Sequence, residues 1–294
     1  MHPRLATYLE LMRLDRPVGT LLLLWPTLAA LWLAADGVPP VHLMVIFALG
    51  TFIMRSAGCV INDYADRGWD RYVKRTEQRP LTSGRISTAE ALGLFTALSA
   101  AAALLLIFLN PLTRLLALAG FGLAVIYPFM KRWTYLPQVA LGAAFSWALV
   151  MAYASVLGRV PAEAWLLFVA SLLWIVAYDT QYAMVDRDDD IQVGIKSTAI
   201  LFGSADRFMV GLLQASALLA FLLLGSQLSL GTFYHLGLAA AAALFAYQHV
   251  LMRDRSRDGC FRAFRNNTWV GFAFFSGVVL ETAVAPLLGL GTPS

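Results

Sequence analysis

The 294-residue chain is 59% hydrophobic and 14% charged, with a mean hydropathy of +0.68, where a soluble domain runs nearer half apolar and a quarter charged. This excludes an ordinary water-soluble domain, and no sustained two-residue alternation supports an outer-membrane barrel. The formal charge of +4 could suit nucleic acid or anionic lipid, but the basic residues are spaced as membrane topology spaces them, so no nucleic-acid partner is expected.

Arg4 and Arg13 precede the apolar run 18–35, as in a secretory leader. That run is long for a leader, and Glu10 and Asp15 interrupt its basic flank, so a retained first span is expected. Further runs reach about the 20 residues that cross a bilayer as helix. They predict spans near 17–35, 41–62, 89–109, 112–130, 136–157, 163–183, 206–226, 231–251 and 268–290. The expected fold is therefore all-α: one polytopic membrane domain over residues 1–294 with about nine transmembrane helices. Turn residues fill the short connections at 36–40, 110–111, 158–161 and 225–231. The longer connections are 63–88, 131–135, 184–205 and 252–267.

The basic residues follow the same alternation. Arg4, Arg13 and Arg16, the four longer connections and the adjoining Arg207 hold 19 of the 22 Lys and Arg. Only Arg114 and Arg159 stand opposite, and Arg55 lies inside a span. By the positive-inside rule the N-terminus is expected in the cytoplasm and the C-terminus across the membrane, in the periplasm. Cys59 and Cys260 lie in different segments without metal-ligand spacing, so two reduced thiols are expected. The four histidines (His2, His42, His235, His249) are scattered and form no metal constellation.

Acidic residues supply the chemistry. The stretch 62–80, NDYADRGWDRYVKRTEQRP, follows an apolar run without a break. Asn62, Asp66 and Asp70 fall at i, i+4 and i+8, which on a helix is one face. Carboxylates held together at the end of an apolar helix repel one another unless a cation sits between them, and a divalent metal carrying a phosphate suits them. A second cluster, Asp179, Asp186 and Asp190, follows the sixth span, and Asp66/Asp70 and Asp186/Asp190 share an offset of 120 residues. This is a weak internal repeat, with halves near 1–135 and 136–294, and facing halves would put both clusters across one cavity on the cytoplasmic side. Acids of this kind could instead solvate loops and pair with nearby arginines. Two such clusters, each at the end of a span and in helical register, favour a site, and ionisable groups at membrane depth usually mark function. Mg²⁺ takes oxygen ligands and keeps some from phosphate or water, so Mg²⁺ with a diphosphate is the expected occupant. Arg55, two turns before Asn62, and Lys74, Arg75, Arg79 and Lys196 could grip the remaining phosphate oxygens, with 74–79 as a cap.

NDYADRGWD resembles the NDxxDxxxD motif of the UbiA family of intramembrane prenyltransferases, and YDTQYAMVDRDDDIQVGIKSTA (178–199) resembles its second Asp-rich motif. LDRPVGTLLLLWPTLAALW (14–32), RPLTSG (79–84) and YPFMKR (127–132) add to the resemblance. The family implies nine helices around a central cavity, Mg²⁺, a polyprenyl diphosphate and an aromatic acceptor. The second motif is similar to the branch whose acceptor is 4-hydroxybenzoate, a step of ubiquinone biosynthesis at the bacterial inner membrane. The resemblance implies two Mg²⁺ held by Asn62, Asp66, Asp70, Asp186 and Asp190, and diphosphate contacts from Arg55, Lys131 (the lysine of YxxxK) and Lys196, beside the flanking Arg79. Arg132 is the candidate for the benzoate carboxylate, as a planar fork matched to that anion. Asp179 is placed to polarise the phenol or take the ring proton, with Asp63 as the second catalytic candidate and Tyr178 beside the substrate.

Diphosphate loss would leave an allylic cation that an apolar cavity protects from water. Trp25, Tyr127, Tyr153, Trp174 and Tyr178 could face that cation, or could simply be packing or interfacial aromatics. Other acceptors within the family are dihydroxynaphthoate, homogentisate and haem. A transporter would favour polar groups near the midplane, and spans three to five, seven and eight are almost bare of them. A CDP-alcohol phosphotransferase would carry its acids in a single motif.

Overall fold

The computed structural model describes residues 3–72 and 76–288. Lys74 and Arg75, two of the expected cap cations, lie outside the described residues. All regular structure among the described residues is helical: α1 (Pro3–Leu11), α2 (Val18–Ala35), α3 (Val41–Asp66), α4 (Thr88–Leu105), α5 (Pro111–Ile126), α6 (Pro137–Leu157), α7 (Ala162–Val193), α8 (Thr198–Phe202), α9 (Asp206–Gln227), α10 (Thr232–Leu251) and α11 (Arg257–Val279).

The ends of these helices are written locally. Ser87 and Glu90 form a reciprocal capping box at the start of α4. Asn110 caps α5 with Pro111 at its first position. Gly158 and Gly194 close α6 and α7 in the left-handed region, at φ 66° and 75°. After α5, Pro128 removes a backbone donor, and Tyr127–Arg132 tightens into a 3₁₀ turn.

Eight helical stretches among the described residues are long and apolar enough to cross a membrane. α10 sits at the eighth expected span but is not one of them, because His235, Gln248 and His249 dilute its apolar run. The protein is a multi-pass helical membrane protein. Successive helices pack as α2–α3–α4 and α5–α6–α7–α9–α10–α11, and α11 returns against α2 to close the arrangement. Trp174, Tyr153, Tyr178 and Tyr234 are fully buried inside it. Leu104, Phe108, Leu118 and Phe208 are at least 62% exposed, an arrangement that lipid stabilises and water would not.

Two expected boundaries shift. The last long helix begins at Arg257, not at 268, so Arg257, Arg262 and Arg265 ride on its first turns instead of in a loop. α7 runs past 183 to Val193 and carries the whole second acidic motif on continuous helix. α1 is an element the hydropathy pattern does not reveal, since it is too short to be a span; its Leu11 is buried with Val60, Leu81, Ile86 and Ala91.

Candidate active site

α3 delivers the first motif and stops within it. Asn62 and Asp66 share the last turns of the helix, and Asn62 Nδ2 donates to Asp66 Oδ2 at 3.1 Å. Asp70 does not continue that face. The helix ends at Asp66, the Trp69 amide donates to the Asp66 carbonyl at 2.8 Å, and Asp70 opens a short 3₁₀ turn. Gly68 in this turn lowers the helical preference of the chain. Asp70 nevertheless returns to the cluster: it is buried, and the charges of Asp66 and Asp63 act on it. Arg79 Nη1 donates to Asp70 Oδ2 at 2.8 Å. Burial pushes the Asp70 carboxyl up to about 6 in spite of Arg79, with the neighbouring Asp66 and Asp63 charges adding to the effect.

Asp66 meets Lys131, whose Nζ donates to the same Oδ2 that Asn62 reaches. Its other oxygen, Oδ1, is buried without a hydrogen-bond partner. A buried carboxylate oxygen with no donor is costly and is what a cation ligand looks like before the cation arrives. The donor set, carboxylates and one amide oxygen, is hard and suits Mg²⁺. Among the described residues no three Asp, Glu, His or Cys side chains lie close enough together to hold a metal ion unaided.

On α7, Asp179, Tyr182, Asp186 and Asp190 recur at helical spacing on one face, and Asp186 and Asp190 are buried. Asp189 points elsewhere and takes a two-pronged contact from Arg257, 2.8 Å on each oxygen. Asp179 feels the charges of Arg55 from α3 and Lys131 from the turn after α5. The Lys196 amide, just after α7, donates to the Lys131 carbonyl at 3.3 Å. The Lys131 turn thus lies between the two acidic motifs.

The other expected contacts are placed more specifically than their spacing suggested. Arg55 lies against Gly19 of α2, where a Cβ would collide with its guanidinium, and over the Phe145 ring at 5.8 Å. Tyr178 is buried beside Trp174, with its hydroxyl unpartnered. Lys196 turns toward the Trp133 carbonyl, 3.3 Å, and the Tyr135 ring. Arg132 donates to the Ala65 carbonyl at 2.7 Å and sits over the Trp69 and Phe129 rings. Asp63 is held by two guanidiniums. One residue on from Asn62, it points about 100° round the helix. Arg13 Nη2 grips both its oxygens at 2.8 and 3.0 Å, and Arg79 Nη1 lies 3.0 Å from Oδ1. Arg79 therefore bridges Asp63 and Asp70 and is no free cap cation.

Residues 23–278 match the family model described as the UbiA prenyltransferase family. The chain belongs to the UbiA family. A 4-hydroxybenzoate octaprenyltransferase of Marinobacter nauticus is 57% identical over 284 residues, 96% of this chain and 97% of that one. One from Chromohalobacter salexigens is 57% identical, covering 95% and 93%. Among solved structures, the apo UbiA homolog of Aeropyrum pernix K1 has a TM-score of 0.79 at 25% identity, over 89% of this chain and 97% of that one. A homolog from Archaeoglobus fulgidus, solved with GPP and Mg²⁺, shares the UbiA fold at a TM-score of 0.69 and 19% identity, covering 93% and 99%.

Two features of this UbiA chain escape motif reading. Arg13 looks like a topology charge, yet it is the main anchor of Asp63. The seventh and eighth spans are less bare than expected. Gln248 Oε1 on α10 accepts from Gln181 of α7 and Gln214 of α9, both at 2.8 Å. Asn267 of α11 donates to Gln181 Oε1 at 2.8 Å and accepts from Trp174 Nε1 at 2.9 Å. The scattered amides at 181, 214, 248 and 267 were the only signal. The bond to Asn267 fixes the edge of the buried Trp174 ring.

Proposed function

We propose that the chain transfers a polyprenyl group from polyprenyl diphosphate to the ring carbon ortho to the hydroxyl of 4-hydroxybenzoate. The observation that carries the reaction is 57% identity over 96% of the chain to an enzyme of that name. The site reading rests on the buried, unpartnered Asp66 Oδ1 beside Lys131.

Mg²⁺ would be held by Asn62, Asp66 and Asp70 from one motif and Asp186 and Asp190 from the other. Bound there, it neutralises the charge that gathers on the departing diphosphate. Lys131, Arg55 and Lys196 grip the phosphate oxygens, with Lys131 exchanging its contact on Asp66 for one on substrate. The C1–O bond of the allylic diphosphate breaks and the diphosphate leaves with the electron pair. The ring π pair ortho to the phenol forms the new bond to C1. Asp179, on the α7 face with Asp186, accepts the displaced ring proton or holds the phenol, and aromaticity returns. The unpartnered Tyr178 hydroxyl stands one residue away to contact substrate, and Arg132 offers its fork to the benzoate carboxylate. Arg79 and Asp63 position Asp70 and stay clear of the reacting atoms. Apolar walls keep water from the cation.

The same reading puts the site at the cytoplasmic mouth of an inner-membrane protein of nine spans, with halves near 1–135 and 136–294. Both acidic motifs end a long helix, which supports the repeat. Membranes carrying the protein, given Mg²⁺, a polyprenyl diphosphate and 4-hydroxybenzoate, should yield the 3-prenylated product. Turnover only with dihydroxynaphthoate, homogentisate or haem would sink the acceptor assignment. Reporter fusions placing residues 64–88 outside the cytoplasm would overturn the topology.

A further inference from the structure

Where α9 begins and α10 ends there is a hollow unrelated to the chemistry above. It is lined by Ser204, Arg207, Phe208, Leu212, His249 and Arg255. On α9 and the turn before it, 204, 207, 208, 211 and 212 share one face. Gly211 leaves the hollow open, since a Cβ there would come within 3.2 Å of the His249 ring. The floor is basic beyond its own needs. Asp206, fully buried beneath, is shared by Arg187 at 3.2 Å and Arg255 at 2.9 Å, and it accepts from the Arg207 amide at 2.6 Å. One carboxylate is thus shared by two guanidiniums, while the Arg207 guanidinium turns through Nη1 to the Arg253 carbonyl at 3.0 Å. Arg207 Nε is buried without a hydrogen-bond partner. Asp254 and Asp258 are the nearby acids on the connection to α11 and its first turn, and Asp258 pairs with Arg262.

The wall of the hollow is apolar and outward-facing. Phe208 is 70% and Leu212 50% exposed, and the stripe continues along α9 through Leu219 and Leu223. A cationic floor at the end of an apolar helix face matches an amphiphile with an anionic head and hydrocarbon tails. The geometry points to a binding site for an anionic phospholipid, with its phosphate at Arg207 and Arg255 and its acyl chains along Phe208, Leu212 and Leu219. The Arg187–Asp206 contact links this site to α7 three residues from Asp190, yet none of its lining residues belongs to the acidic motifs.

Native mass spectrometry of the detergent-solubilised full-length protein tests this, with added phosphatidylglycerol, phosphatidylcholine or inorganic phosphate. Phosphatidylglycerol should be the adduct held most strongly. Arg207→Gln should weaken its retention about fivefold, the effect of one interfacial charge, while Arg159→Gln, a charge removed from the α6–α7 connection, leaves it unchanged. Phe208→Ser, at an exposed position, should also weaken it and guards against a folding defect in Arg207→Gln. Equal retention of phosphatidylcholine would overturn the charge argument. Phosphate binding as strong as the lipid's would reduce the site to a free-anion site. Wild-type retention by both folded variants would place the lipid elsewhere.

Discussion

Lys131, on the turn after α5, donates to Asp66 Oδ2 at the end of α3 and leaves Asp66 Oδ1 buried with no partner. One oxygen of this carboxylate is satisfied by the protein and the other is not. Asp66→Asn keeps the side-chain shape but replaces an anionic ligand atom with an amide. Turnover should fall by roughly 10³-fold or more, the scale of several kcal/mol of lost charge stabilisation. Near-normal activity from the folded variant would remove Asp66 from the site.

Arg55 depends on an absence. Gly19 gives its guanidinium room that a methyl group would take. Gly19→Ala should therefore shift Arg55 and raise KM for the polyprenyl diphosphate about tenfold, equivalent to ~1.4 kcal/mol of binding, with little change in KM for 4-hydroxybenzoate. Equal effects on both substrates would mean that Arg55 does not discriminate the diphosphate end.

Asp70 sets a pH dependence. Its carboxyl is raised to about 6 by burial, so in the metal-free protein the proton competes with a cation as pH falls through that value. Between pH 7.5 and 5.5 the ionised fraction drops about fourfold, and the Mg²⁺ needed for half-maximal activity should rise by about that factor. EDTA should abolish turnover and added Mg²⁺ restore it. A Mg²⁺ requirement that is flat over this range would separate Asp70 from metal binding.

Much of this was legible because the decisive signals are local. Long apolar runs place α2 to α6 to within a few residues, and the 62/66 and 186/190 spacings place paired side-chain oxygens on two helices. What was not legible depends on tertiary partners. The break after Asp66 is a one-turn event at Gly68 that an i+8 pattern cannot detect. α11 begins at Arg257 because Ser256 caps it, accepting from the Gly259 amide at 3.2 Å, although the first turns are too polar to register as membrane. Arg13 carries the same charge as Arg4 and Arg16, and only its contact with Asp63 separates it from them.

The amide cluster around Gln248 is the clearest case of stability hidden from hydropathy. Gln248→Leu preserves bulk but removes the acceptor for Gln181 and Gln214 and the donor to Asn266. Leaving these groups unpaired at membrane depth should cost about 1–3 kcal/mol and lower the unfolding midpoint in detergent. Turnover per folded molecule should stay near wild type. An unchanged midpoint would show that the cluster finds other partners.

Asp63 separates positioning from chemistry. It is 1% exposed and held by Arg13 and Arg79, and Arg79 in turn holds Asp70. Asp63→Asn leaves two guanidiniums without their shared anion, and breaking a buried pair of this kind costs up to about 3–5 kcal/mol. The expected variant is less stable and needs more Mg²⁺, because Asp70 is less firmly placed, yet it turns over measurably where Asp66→Asn does not. Arg13→Lys should recover part of what Arg13→Gln loses, since a cation returns without the two-pronged grip. If folded Asp63→Asn keeps wild-type stability but is as inactive as Asp66→Asn, Asp63 acts at the reacting atoms and the relay through Arg79 is wrong.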